Sequence, residues 1–67
     1  MSNLKRIRES KDLSQAKLAE ASGVNLRLLQ YYEQGYKDIN KAQAITVYKL
    51  AQALKSPIED LLELTEK

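Results

Sequence analysis

Cysteine and histidine are both missing from the 67 residues. That inventory excludes disulfides, thiolate zinc sites and any chemistry that needs a thiol or an imidazole. Carboxylates remain, but no two stand out as an acid–base couple, and so short a chain can hardly enclose a pocket. The composition therefore argues against an enzyme and calls for no cofactor, no metal and no small-molecule ligand. Long apolar runs are absent too, and none approaches the ~18 residues that a spanning helix requires. The opening MSNLKRIRES puts Lys5, Arg6, Arg8 and Glu9 where a signal peptide would carry its apolar stretch. A cytoplasmic protein with no membrane partner is the expectation. Proline and glycine are scarce, with only Pro57, Gly23 and Gly35. No sustained period-two alternation and no hairpin dipeptide occur, so no strand is expected.

What is present suits one small helical domain over residues 1–67. The apolar fraction is 43%, enough for a single core. A domain of this size buries only about 60% of its unfolded surface. Its stability should be about 3–5 kcal/mol unless it oligomerises. The net charge of +2 is unevenly spread. Residues 1–37 hold seven basic and four acidic side chains, and residues 38–67 hold four and five. A basic front and an acidic tail hint at a polyanion partner for the front, although ordinary solvated charge accounts for the same pattern.

Helical punctuation recurs along the chain. A first helix is expected over 3–11, capped by Ser2 or Asn3, with Leu4, Ile7 and the stem of Lys11 on one face. A second should follow Ser14 as N-cap, carry Leu18 and Ala19, and end at Gly23 in the left-handed conformation. A third should follow Asn25, carry Leu26, Leu29, Tyr32 and Glu33, and end at Gly35. Residues 36–41 read as a loop. Asn40 and Gln43 resemble a capping box that opens a fourth helix with Val47, Leu50, Ala51 and Leu54 on its apolar stripe. Ser56, Pro57 and Glu59 match an N-cap, a first-turn proline and an acidic third position. The fifth helix, with Ile58, Leu61 and Leu62, should run to about residue 64 and the last few residues should fray. The expected core is Ile7, Leu18, Val24, Leu29, Val47, Leu50, Leu54 and Leu61.

The two short helices flanking SGVN form a two-helix unit with a glycine turn, at about 14–35. Such a unit lays its second helix in a DNA major groove, although plain helix hairpins also use glycine turns. The segment LSQAKLAEASGVNLRLLQYYEQG resembles the phage repressor/Cro-type helix-turn-helix family, also called xenobiotic-response-element-type regulators. The likeness lies in Leu13-Ser14-Gln15, Leu18-Ala19, Gly23-Val24, Leu29, Tyr32-Glu33 and Gly35. Arg8 upstream, Leu50-Ala51 with Leu54 downstream and the closing SPIEDLLE extend it over nearly the whole chain. Two features depart from the common pattern. The loop after Gly35 is a few residues longer, and the third helix is unusually apolar, with Leu26, Leu28, Tyr31 and Tyr32.

The resemblance implies an all-α, five-helix, lambda repressor-like DNA-binding domain and gives roles to particular residues. Ala19 must be small where the second and third helices cross. Arg8 and Glu33 match the family's ion pair at the edge of the core. Ser14 and Gln15 face a phosphate at the start of the second helix, where free amides suit an anion. Capping explains Ser14 as well. Asn25, Leu26 and Arg27 match base-facing positions: an adenine edge or phosphate, a thymine methyl, and a bidentate guanine contact. Capping alone would explain Asn25, and solvated charge alone would explain Arg27. Gln30 and Tyr31 lie one turn further on the same side, and Tyr32 is assigned to the core. Lys37 and Lys41 flank the loop that rides on the backbone, where contacts position without reading sequence. The implied function is sequence-specific binding of double-stranded DNA by a repressor-like regulator, of a kind also encoded by phages and mobile elements. It would act as a homodimer on a two-fold operator, pairing through exposed parts of the fourth or fifth helix. The rival is a protein-interaction module or antitoxin-like regulator that docks through the apolar third helix.

Overall fold

The computed structural model describes residues 2–63. Among them are five α-helices and no strand: α1 (Asn3–Ser10), α2 (Gln15–Ser22), α3 (Leu26–Gln34), α4 (Ala44–Leu54) and α5 (Ile58–Leu61). A short 3₁₀ turn (Ile39–Lys41) lies between α3 and α4.

Local chemistry sets most of the boundaries. Ser2, Ser14 and Asn25 each accept a hydrogen bond from the backbone N–H three residues on, at 2.9, 3.0 and 3.1 Å. Each thereby satisfies one of the amides that a helix start leaves without a partner. Gly23 and Gly35 end α2 and α3 with φ of 76° and 85°. Only glycine reaches that region without a steric penalty. Lys55 ends α4 in the same region, at φ 55°, without that freedom.

Three boundaries differ from the sequence reading. Asn40 does not open α4. Gln43 holds the N-cap position with no side-chain bond, and Asp38 caps the 3₁₀ turn instead. Asn40 is drawn off by a distant backbone partner: its Nδ2 donates to the Glu63 carbonyl at 3.0 Å and its Oδ1 accepts from the Glu63 N–H at 2.8 Å. Ser56 does not cap α5. Its hydroxyl donates back to the Leu54 carbonyl, and Pro57 occupies the cap position. Helix α5 stops at Leu61, with Leu62 already extended, rather than at 64. The expected fraying of the last few residues falls outside the described residues. Lys11 sits at the exposed C-cap of α1, so its stem does not join the apolar face.

All eight expected core residues are buried, together with Leu4, Ile39 and Ala51. Helix α2 lies against α3 and α4, α1 against α3 and α5, and α4 against α5. Each fully buried leucine contributes about 1.5–3 kcal/mol relative to exposure. Ala19, Leu28 and Tyr32 pack against this core from its margin. The end of α5 is laced to the start of α1. The Asn3 N–H donates to Glu63 Oε2 at 2.6 Å, and Asn3 Nδ2 donates to the Leu62 carbonyl at 2.8 Å. A carboxylate at a helix N-terminus also complements the helix dipole.

Candidate nucleic-acid interface

Helix α3 is held in place by a buried pair of charges. Arg8 Nε donates to Glu33 Oε2 at 2.7 Å and Arg8 Nη2 to Glu33 Oε1 at 3.0 Å. Arg8 Nη1 donates to the Leu13 carbonyl at 2.7 Å, so one guanidinium joins α1, the α1–α2 connection and α3. The fork geometry of arginine suits such a bidentate contact. The hydrogen bond to Glu33 raises the Arg8 pKa above its ordinary value, against the opposing effect of burial. The pair expected from the sequence is thus formed and shielded, with 9% and 2% of the two side chains exposed.

Anchored in this way, α3 turns its first turn outward. Leu26 and Arg27 are exposed, as is the cap residue Asn25. Asn25 Oδ1 is taken up by capping, which leaves the Nδ2 donor for a further partner. Gln30 and Tyr31, one turn on, are half-buried. At the far end the chain folds back on itself: the Tyr36 N–H donates to the Tyr31 carbonyl at 2.9 Å. The Tyr31 and Tyr36 rings meet edge to face, 6.0 Å apart. Tyr36 is 76% exposed and was not singled out from the sequence, where it read only as loop. The glycine stop before it was the available signal, since a left-handed cap commonly returns the next residue onto the last helical turn.

Ser14, at the start of α2, is exposed as well as capping. Gln15 departs from expectation. Its side chain was expected to point outward, but it is half-buried and its Nε2 donates to Glu33 Oε1 at 2.9 Å. Its Oε1 accepts from Gln30 Nε2 at 3.3 Å. Lys37, before the 3₁₀ turn, and Lys41, its last residue, are both exposed. No group of three potential metal ligands occurs among the described residues. Likewise, no helix among them is long and apolar enough to cross a membrane.

A short helix, a glycine turn and a second helix with its first turn open form a helix-turn-helix unit. A family model described as "Helix-turn-helix" matches residues 4–61, which take in all five helices apart from Asn3, the first residue of α1. The chain belongs to the Cro/repressor-like helix-turn-helix family. No curated protein matches the chain. Membership makes the chain a DNA-binding helix-turn-helix regulator with the lambda repressor-like fold. In helix-turn-helix domains the second helix of the unit enters the major groove and the first crosses the backbone, which corresponds to α3 and α2 here.

Proposed function

We propose that this helix-turn-helix domain is a repressor-like regulator without enzymatic activity, of the kind that phages and mobile elements encode. It acts in the cytoplasm, where it binds a two-fold DNA operator as a homodimer. The observation that carries the reading is the outward first turn of α3. Asn25, Leu26 and Arg27 are exposed together on a helix whose position is fixed by the Arg8–Glu33 pair. In this reading Arg27 meets guanine, Leu26 a thymine methyl and Asn25 an adenine edge or phosphate. Gln30 and Tyr31 extend the same contact along the groove. Ser14, Gln15, Lys37 and Lys41 hold the backbone on either side.

The dimer rests on α4 and α5. Ile45 and Tyr48 on α4 and Ile58 on α5 are 54%, 49% and 40% exposed. These large apolar side chains lie off the α2–α3 unit. Paired across a two-fold axis, they would serve half-sites about 34 Å apart.

A protein-docking role for α3 has less surface to use than its sequence suggests. Leu28 packs against the core and Tyr31 is half-buried, so Leu26 alone of the three ranks among the exposed large apolar residues.

Selection of bound sequences from a random duplex pool tests the proposal. Enrichment of a two-fold motif is expected. Binding should also weaken with salt, by about 0.9 log units per phosphate contact for each log unit of salt. Absence of any enriched motif at low salt would refute sequence-specific recognition.

A further inference from the structure

Glu33 is tied to Arg8 through both oxygens, and its side chain is 2% exposed. An ionised carboxylate accepts hydrogen bonds and cannot donate them. Gln15 must therefore present its NH2 group to Glu33, which turns its carbonyl oxygen away, toward position 30. There the Gln15 Oε1 accepts from Gln30 Nε2 at 3.3 Å. A reversed Gln30 amide would bring two carbonyl oxygens together at that spacing, and both are acceptors. The polarity of the buried ion pair thus passes through two amides to the rim of α3. Gln30 keeps one N–H and its carbonyl oxygen for an outside partner. It lies three and four residues beyond Arg27 and Leu26, hence on their side of the helix.

We propose that Gln30 is a specificity-determining residue that reads adenine, with its amide orientation set by Glu33 through the positioning residue Gln15. This inference rests on the DNA-binding reading above. An adenine presents a donor and an acceptor in the major groove, and the free half of the Gln30 amide supplies the complementary acceptor and donor. Guanine presents two acceptors there, one of which would face the Gln30 carbonyl. The fixed amide therefore favours adenine and disfavours guanine at one position of each half-site. The contact from Gln30 to Gln15 is at the long end of the hydrogen-bonding range. It biases the amide without locking it, so loss of Gln15 should weaken the preference and loss of Gln30 should abolish it.

Competition binding against every single-base variant of the selected duplex tests this with the wild-type chain, Gln30→Ala and Gln15→Met. Circular dichroism checks that each is folded. The wild type should prefer adenine over guanine at one position by roughly 5- to 150-fold, the range of a good bidentate contact. Gln30→Ala should level that position and leave the others unchanged. Gln15→Met should lower affinity by a similar factor on every duplex and, in addition, reduce the adenine preference at the position that Gln30→Ala levels. Full retention of the preference in Gln15→Met would overturn the relay, and unchanged preferences in Gln30→Ala would overturn base reading by Gln30. Either result would leave sequence-specific binding by the wild type intact. A wild type that discriminates among no duplexes would instead overturn the DNA reading itself, and this inference with it.

Discussion

Replacing Glu33 by leucine would leave the Arg8 guanidinium buried with the Leu13 carbonyl as its remaining strong partner. Breaking a buried ion pair on one side costs about 3–5 kcal/mol, because a charge is left without compensation. A domain of this size has a total stability of only about 3–5 kcal/mol. The Glu33→Leu chain should therefore be largely unfolded at 25 °C, and so should Arg8→Met. The double variant removes both charges. It loses the bond to Leu13, worth about 1 kcal/mol net. The bond from half-buried Gln15 also goes, but water can replace it. The double variant should thus cost about 1–2 kcal/mol, less than either single change. Glu9, 3.9 Å from Arg8 and more than half exposed, adds little to this balance. The raised Arg8 pKa means that its contribution is fully present at lower pH and is lost only as pH rises through that raised value. Urea melts followed by circular dichroism, run at neutral pH in sucrose to keep a folded baseline for the single variants, give the three free energies. Single costs below about 1 kcal/mol, or a double cost equal to their sum, would refute the account of α3 as anchored by a buried charge pair.

Arg27→Ala should cost about 1–3 kcal/mol on the best duplex and relax preference at a single base pair, with melting unchanged; titration against base-pair variants measures both. Lys55→Gly should raise stability by about 0.5–1 kcal/mol by relieving the left-handed backbone at the end of α4, read as a rise of a few degrees in Tm. Asn40→Ala should cost about 1–2 kcal/mol through the two lost bonds to Glu63, and faster hydrogen exchange of the Glu63 amide is the local check. Ile45→Glu should lower binding to the two-fold operator while sparing binding to an isolated half-site, as measured by gel shift on both duplexes.

The helix ends that were legible in the sequence are those settled by neighbouring residues. Ser14 and Asn25 find their amides three positions away, and Gly23 and Gly35 supply the left-handed stops. The core was legible because its residues recur at helical spacing. The ion pair became legible through the family pattern. Ser56 was misread because a local acceptor, the Leu54 carbonyl two residues back, takes its hydroxyl, whereas Asn40 and Gln15 were misread because distant partners compete for them. Asn40 had the chemistry of a cap but met Glu63, 23 residues away, on both faces of its amide. Ile39 lies in a polar stretch with no periodicity to mark it as core, yet the 3₁₀ turn buries it. Gln15 looked free because nothing near it in sequence needs it; its partners are 15 and 18 residues on.

The lacing of Glu63 to Asn3 makes the domain nearly a ring. Points 60 residues apart along the chain are separated by a single hydrogen bond. A linker of a few residues could join them, and new ends could be opened in the exposed stretch at 36–38 without cutting a helix. The same closeness means that the module could be spliced into a surface loop of another protein, leaving and rejoining its host at almost one point. The recognition helix would then be carried as a compact cassette with little demand on the geometry of the loop that receives it.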